Sequence, residues 1–176
     1  FSEHSRIAYY KIMRSILEAG DLKGKRALVR VDWSVPTQDD KVIDDYQIRK
    51  SLSTIEHLRE ARAKVVLISH AEKDESSLLP IFQYVKKYLP LTFVESSDLV
   101  LLENLRRNPG EKANSEAYAR ELALLGDIYV NEAFPESHRE YASIVGVPKL
   151  LPSFAGLRLI EERQRLSSVF YPKRPF

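Results

Sequence analysis

The stretch KVVLIS, from Lys64 to Ser69, is a nearly continuous run of apolar residues that ends in a polar one. A run of this kind is typical of a strand covered on both faces, as in a parallel sheet. Other runs of similar character are RALVRV (Arg26 to Val31), Leu91 to Val94, DLVLL (Asp98 to Leu102) and DIYV (Asp127 to Val130). We therefore predict that these segments are strands of a sheet.

Segments with helical periodicity alternate with these strands. Apolar residues recur at helical spacing after Asp44 and Asp45, either of which can cap a helix: Ile48, Leu52, Ile55 and Leu58. Further helices are predicted over Ser76 to Tyr88, Ser115 to Leu125 and Leu157 to Val169, with turns at Asp39–Asp40 and Pro109–Gly110. The alternation predicts an α/β protein with three αβα layers, a parallel Rossmann-like sheet and right-handed crossovers.

The composition excludes several classes of protein. The chain has 176 residues, of which 44% are hydrophobic, and this fits a globular domain of ordinary size. It has no cysteine, so a disulfide scaffold and a thiolate metal site are excluded, and a reducing, cytoplasmic location is expected. A net charge of +2 argues against a nucleic-acid partner, and no apolar run is long enough to predict a membrane span. We predict a helical N-terminal extension over residues 1–20 and one domain over residues 21–176.

Polar and cationic residues follow the predicted strands at the end where parallel sheets bind ligands. They are Asp32, Ser34, Ser69, His70, Glu103, Asn104, Arg106, Asn131, Glu132, His138 and Arg139. One interpretation is that they are solvated loop residues, because loops are generally polar. The bias toward arginine and histidine favours an anion-binding cleft instead, since guanidinium groups match phosphate and carboxylate in shape and charge.

Five blocks of the sequence resemble phosphoglycerate kinases and occur in the order found in that family. They are KGKRALVRVDWSVP (Lys23 to Pro36), VLISH (Val66 to His70), LLENLR (Leu101 to Arg106), GDIYVNEAF followed by SHR (Gly126 to Arg139) and PKRPF (Pro172 to Phe176). The resemblance implies a two-domain kinase that transfers a phosphoryl group between 1,3-bisphosphoglycerate and ADP after hinge closure. In this family the N-terminal domain binds 3-phosphoglycerate, a small phosphorylated acid, and the C-terminal domain binds Mg-ADP or Mg-ATP.

The resemblance also assigns substrate contacts to matching positions. Asp32 is expected to accept a hydrogen bond from the glycerate hydroxyl, and His70 to contact the substrate. Arg106 and Arg139 are expected to hold its phosphate and carboxyl end. At each position a structural role is the alternative: a turn aspartate, a buried histidine or a solvated arginine.

Other positions depart from the family pattern. Ser34 stands where the family has asparagine, and Lys73 where it has arginine, so both are weaker candidates for substrate binding. Gln47 stands at the position of the catalytic arginine, so no catalytic residue is intact. Pro135 and Glu136 replace a Gly-Thr pair, and the glutamate adds negative charge near the predicted site.

Two hypotheses remain open from the sequence. The chain is either the substrate-binding half of a phosphoglycerate kinase, inactive by itself, or a non-catalytic binding or interaction module related to that family. No glycine-rich phosphate loop occurs in the sequence, so we expect neither cofactor nor metal here and assign the nucleotide to a separate C-terminal domain.

Overall fold

The computed structural model describes residues 14–92 and 98–170. The predictions for residues 1–13, for the strand beyond Thr92 and for the PKRPF tail fall outside these ranges. The elements within the described ranges are β1 Arg26–Arg30, β2 Thr37–Gln38, β3 Lys41–Val42, α1 Tyr46–Glu60, β4 Lys64–Ile68, α2 Leu79–Val85, β5 Leu99–Leu101, α3 Pro109–Lys112, α4 Glu116–Ala123, β6 Ile128–Asn131, β7 Ser153–Ala155 and α5 Leu157–Phe170.

Five of the strands form one parallel sheet in the order β5–β4–β1–β6–β7. The apolar runs predicted as strands are confirmed for β1, β4, β5 and β6. The chain moves outward from β1 to β4 and β5, and then returns to place β6 on the other side of β1. At such a reversal the carboxyl ends of the two neighbouring strands leave a crevice, which is the usual ligand position in open parallel sheets.

Successive residues of β1 face opposite sides of the sheet, and each side has its own core. Ala27 and Val29 belong to a core that includes residues of α1 and α2, whereas Leu28 packs with residues of α4. The predicted αβα architecture is confirmed by this division. Arg30 lies two residues after Leu28, so its side chain is on the α4 side, where it is fully buried.

The Asp39–Asp40 turn joins β2 to β3 as an antiparallel hairpin separate from the main sheet. Both residues have positive φ angles, 48° and 58°, which aspartate tolerates better than most residues. The hairpin leads directly into α1, so it lies beside the carboxyl end of β1 in the sequence.

Two predicted elements differ from the structure. Pro109 and Gly110 begin the helix α3 and are not a simple turn, because the Asn108 side chain accepts a hydrogen bond from the Gly110 N–H at 2.8 Å and caps the helix. The helix predicted from Ser76 begins only at Leu79. The residues before it are held by Glu103, which accepts from the Ser77 hydroxyl and the Leu78 N–H, each at 2.7 Å.

The strand β7 is absent from the predictions, and it extends the sheet beyond β6. Pro152 precedes it and has no N–H to donate, but its carbonyl accepts from the Tyr129 N–H at 2.9 Å. On the other side of β7, the Ala155 N–H donates to the Arg14 carbonyl at 2.8 Å, and Ile16 is buried in the core. Residues 14–16 therefore cover the edge of the sheet. The division of the chain into an extension over residues 1–20 and a domain over residues 21–176 stays a prediction. Among the described residues, no helix has the length and apolar character that crossing a bilayer requires.

Candidate anion-binding site

Arg30 places a positive charge at the carboxyl end of the central strand. Its guanidinium group donates from Nε to Ser143 Oγ at 3.0 Å, from Nη1 to the Val31 carbonyl at 2.5 Å and from Nη2 to His70 Nδ1 at 3.0 Å. A buried charge is tolerated when its donors are paired. These three partners therefore hold the side chain in one position.

Glu111 balances the charge of Arg30 through Ser143. The Ser143 backbone N–H donates to Glu111 Oε2 at 3.0 Å, and the Ser143 hydroxyl donates to Glu111 Oε1. Both residues are fully buried, on the helix α3 and on the π-helical turn Ala142–Gly146 respectively. Since the hydroxyl also accepts from Arg30, the three side chains form one hydrogen-bonded network.

The protonation of His70 follows from its partner. A guanidinium group has no acceptor, so Arg30 must donate to Nδ1, and the ring proton is on Nε2. Burial, followed by the positive charges of Arg30, Arg106 and Arg139, lowers the pKa of His70 to about 2. The imidazole is therefore neutral at physiological pH and presents its Nε2–H as a fixed donor.

Donors from three residues converge on the carboxylate of Glu136. Arg106 Nη2 donates to Oε2 at 2.9 Å, Arg139 Nε lies 3.9 Å from the same oxygen, and His70 Nε2 lies 3.6 Å from Oε1. The two longer distances exceed a hydrogen bond, so those contacts are electrostatic. We call His70, Arg106 and Arg139 the donor triad, and its geometry fits a small anionic group.

Tyr141 supports both arginines of the donor triad from a single ring. The guanidinium carbons of Arg106 and Arg139 lie 5.5 and 6.0 Å from the ring centroid, where cation–π attraction operates. The Arg106 Nε is buried and has no hydrogen-bond partner within the described residues. Because an unpaired buried donor is costly, this N–H is a position where a ligand acceptor would be stabilised.

Asn104 fixes the loop after β4 to the end of β5. Its amide nitrogen lies 3.1, 2.9 and 2.8 Å from the carbonyl oxygens of Lys73, Asp74 and Ser76. The Leu105 N–H also donates to the Ser69 carbonyl at 3.0 Å. The two segments that carry His70 and Arg106 are thereby held together.

Asp32 and Ser34 pair with each other at the end of β1. The Ser34 hydroxyl donates to Asp32 Oδ1 at 2.6 Å, and the Ser34 N–H donates to the same oxygen at 3.2 Å. The Trp33 N–H between them donates to Ser69 Oγ at 3.0 Å and ties this segment to the end of β4. In the part of the chain that the structure describes, no hydrogen bond or ion pair joins Asp32 or Ser34 to the donor triad.

The family model for phosphoglycerate kinase matches residues 17–176 of the chain. This chain belongs to the phosphoglycerate kinase family. The phosphoglycerate kinases of Thermus thermophilus and Leptospira biflexa are 37% and 38% identical to it over 93% and 92% of its length. The matches cover 48% and 47% of those two proteins, so the chain spans about half the length of the curated relatives it matches.

Solved structures of the family have the same fold. The phosphoglycerate kinase of Coxiella burnetii matches 89% of this chain and 45% of its own with a TM-score of 0.80 and 32% identity. The enzyme of Pyrococcus horikoshii OT3 matches 93% of this chain and 47% of its own with a TM-score of 0.81 and 25% identity. The resemblance inferred from the sequence motifs and the predicted fold are both confirmed.

The residues predicted from the sequence motifs to contact a substrate fall into separate groups. His70, Arg106 and Arg139 are brought together around one carboxylate. Asp32 and Ser34 lie at the neighbouring strand end, and Lys73 is exposed on the loop held by Asn104. A substrate-binding role stays a prediction for each of these residues.

Gln47, which the sequence motifs predict to stand at the position of the phosphoglycerate kinase catalytic arginine, lies in the first turn of α1 and is half-buried. Its Oε1 is buried and lacks a hydrogen-bond partner within the described residues. The nearby Arg49 pairs with Asp45 at 3.1 Å, and its side chain is 65% exposed. Arg49 is therefore turned toward solvent, as helical spacing predicts, and it does not replace the missing cation.

The buried half of the site was missed by sequence reasoning. Arg30 carried a signal, because an arginine inside an otherwise apolar strand must find partners when that strand is buried. Glu111 and Ser143 carried none, since they are 32 residues apart and only the fold brings them together. Tyr141 likewise follows the SHR motif without any local pattern that marks it.

Another buried carboxyl group, that of Glu132, lies between α1 and the start of α5. Its Oε1 accepts from Thr54 Oγ1 at 2.8 Å and from the Arg158 N–H at 3.1 Å. Burial raises the pKa of Glu132 to about 7, although these hydrogen bonds oppose the shift. Gly156 is needed here, because a Cβ at that position would lie 1.7 Å from Glu132 Oε2.

Across residues 14–92 and 98–170, no group of three or more histidine, aspartate or glutamate residues is arranged to hold a metal ion.

Proposed function

We propose that this chain is the 3-phosphoglycerate-binding half of a phosphoglycerate kinase. The observation that carries the proposal is the convergence of His70, Arg106 and Arg139 on a position that already holds a carboxylate. Membership of the family, and a length about half that of its relatives, support the assignment. The donor triad follows β4, β5 and β6 at the carboxyl edge of the sheet, the edge at which such folds bind small molecules.

The proposed contacts follow from the chemistry of the ligand. 3-Phosphoglycerate carries a phosphate and a carboxylate, and both groups are hydrogen-bond acceptors. Arg106 offers a planar fork that includes its unpartnered Nε, and Arg139 is 48% exposed, so it is accessible to an entering ligand. His70 adds a directional donor without a charge. We assign the second carboxylate oxygen of Asp32 to the ligand hydroxyl, since Ser34 holds the first.

The chain by itself is expected to bind substrate without transferring a phosphoryl group. Gln47 is neutral, so it cannot stabilise the charge that develops on the transferring group as a cationic side chain does. The Mg-nucleotide used by the family is assigned to the other half of the enzyme.

Calorimetric or NMR titration of the chain with 3-phosphoglycerate tests the proposal. We expect weak binding that is abolished in Arg106→Ala and in Arg139→Ala, because each removes a charged donor from the site. Gln47→Arg is expected to strengthen binding by adding a cation. Arg107→Ala is the matched control, since it removes the same charge from a side chain that is 53% exposed and faces Glu103. Equal affinity in the wild type, Arg106→Ala and Arg139→Ala would contradict the site.

A second candidate function is a non-catalytic binding or interaction module. The observation that favours it is Gln47 at the position where the family has a catalytic cation. An assay of phosphoryl transfer in a protein that joins this chain to a nucleotide-binding half separates the two functions. Turnover supports the kinase, whereas ligand binding without turnover supports the module.

A further inference from the structure

We propose that Glu136 is an internal competitor for anionic ligands, because its carboxylate occupies the position at which the donor triad would hold an anionic group of the substrate. The inference rests on the proposed function and names the residue that sets the ligand affinity of the same site. A ligand that binds Arg106 must first displace the Glu136 carboxylate.

The geometry of the contact supports competition. A carboxylate and a phosphate are both acceptor groups that arginine binds through the same N–H donors. Arg106 Nη2 is already engaged by Glu136 Oε2 at 2.9 Å, and the side chains of this pair are only 12% and 11% exposed. A ligand that uses the same donor must therefore move the Glu136 carboxylate away, and the ligand gains only the difference between the two contacts.

The charges of the cluster lead to the same conclusion. Arg106 and Arg139 contribute two positive charges, His70 is neutral and Glu136 contributes one negative charge, so the net charge is 2 − 1 = +1. Without the Glu136 carboxylate, the net charge of these groups is +2. Because the pair is largely shielded from water, this difference acts on a ligand with less screening than a surface charge would.

The position of Glu136 is fixed by its backbone as well as by its side chain. It ends the 3-10 turn Phe134–Glu136, in which Pro135 restricts the backbone. The Glu136 N–H donates to the Ala133 carbonyl at 3.1 Å, and the Glu136 carbonyl accepts from the Arg139 N–H at 2.9 Å. The carboxylate is therefore held at the donor triad by the local fold.

The alternative is that Glu136 is a structural partner that keeps the two arginines in place for the ligand. The two roles predict opposite effects when the carboxylate is removed. A competitor that is removed leaves donors free and raises affinity. A structural partner that is removed lets the arginines move and lowers affinity.

The test is titration of the wild type and Glu136→Gln with 3-phosphoglycerate and, separately, with inorganic phosphate. We expect Glu136→Gln to bind both ligands at least about tenfold more tightly, because the variant lacks the carboxylate that repels an anionic ligand. Glu140→Gln is the matched control, because it removes the same charge from an exposed residue four positions away and should leave affinity nearly unchanged. The double variant Glu136→Gln/Arg106→Ala should lose the gain.

The outcomes separate this inference from the proposed function. Unchanged or weaker binding in Glu136→Gln, with Arg106-dependent binding in the wild type, overturns the inference and leaves the proposed function intact. Tighter binding of phosphate with no preference for 3-phosphoglycerate supports the inference and contradicts the proposed substrate. If neither protein binds either ligand, both proposals fail.

A second variant covers the case in which Glu136→Gln does not fold. Glu136→Asp keeps the charge but withdraws the carboxylate by one methylene group, so its contact with Arg106 is lengthened. We expect an affinity between those of the wild type and a fully released site. No gain in Glu136→Asp, in a protein whose Trp33 fluorescence shows a native core, overturns the inference.

Discussion

Trp33 is the only tryptophan of the chain, and it is fully buried between the end of β1 and the helix α1. Its indole N–H donates to Ser51 Oγ at 2.8 Å, and the Ser51 hydroxyl donates to the Ile48 carbonyl at 2.7 Å. The Ser51 hydroxyl therefore fixes the position of the Trp33 indole next to the candidate site.

Ser51→Ala is expected to lower the free energy of unfolding by about 1–3 kcal/mol, because the buried indole N–H loses its acceptor. Urea denaturation followed by Trp33 fluorescence measures the change. Ser53→Ala makes the same substitution on the exposed side of the same helix and should change stability by less than about 0.5 kcal/mol. Equal losses in the two variants would show that the indole contact is not the cause.

Single residues also show how far sequence reasoning reaches. Arg106 and Arg139 could be selected as anion-binding candidates, because cations that follow parallel strands are close to the ligand crevice. The contact of both with Glu136 could not be predicted, since it depends on the direction that the turn Phe134–Glu136 gives to one side chain. Sequence reveals which residues carry charge, but the pairing of charges is a property of the fold.

At the scale of elements, the loop after β4 is held by a side chain from outside it, that of Asn104. One amide group lies within hydrogen-bond distance of three of the loop's carbonyl oxygens, and Asn104 is buried. Glu103 assists from the adjacent position by accepting from Ser77 and Leu78. Partial burial opposes ionisation of Glu103, but these hydrogen bonds keep its pKa below the ordinary value.

Asn104→Ala is expected to loosen this loop and to lower stability by about 1–3 kcal/mol, because three partly buried hydrogen bonds to the loop's carbonyl groups are lost. Amide hydrogen exchange of residues 71–77 measures the loosening directly. Asn104→Asp should be at least as disruptive, since a carboxylate would face the same carbonyl oxygens. Unchanged exchange in Asn104→Ala would contradict the role given to this side chain.

Elements with a strong sequence pattern were predictable, and two elements without one, β7 and α3, were not. The strands β1, β4, β5 and β6 are apolar runs because both faces of the sheet are covered. The strand β7 has only three residues and follows a proline, so its pairing comes from β6 and not from its own sequence. The Pro-Gly pair predicts a turn, but capping by Asn108 outweighs this signal and the segment forms the helix α3.

At the scale of the whole molecule, two buried groups make stability depend on pH in opposite directions. The pKa of Glu132 rises from 4.5 to about 7 in the folded state, so its contribution to stability is lost as the pH rises from 4.5 to about 7. The pKa of His70 falls from 6.5 to about 2, so its contribution is present above pH 6.5 and is lost as the pH falls.

Glu132→Gln is expected to abolish the loss of stability between pH 4.5 and pH 7 that Glu132 causes. Glutamine resembles the protonated acid and keeps an acceptor for Thr54 and Arg158. Thermal unfolding at pH 5 and pH 8 measures the effect, with the exposed Glu140→Gln as control. The Tm of Glu132→Gln, relative to the wild type, should be higher at pH 8 than at pH 5. Parallel pH profiles for the two proteins would contradict the raised pKa of Glu132.

The order of the strands in the sheet is likewise a property of the whole fold. The alternation of strands and helices predicted a parallel sheet with ligand residues at its carboxyl edge. No local pattern shows that β6 returns to the side of β1 opposite β4, because that choice depends on how the helices cover both faces. This choice decides which strand ends are neighbours at the carboxyl edge, so that arrangement is known only from the structure.

The complete burial of Arg30 has a consequence for how salt acts on the molecule. Dissolved ions cannot approach a guanidinium group that water does not reach, whereas they surround the half-exposed Arg139 freely. Because Glu111 balances the charge of Arg30 inside the protein, the attraction of anions to this edge of the sheet comes mainly from Arg106 and Arg139. Added electrolyte should therefore weaken anion binding and leave the internal network of Arg30, Ser143 and Glu111 intact.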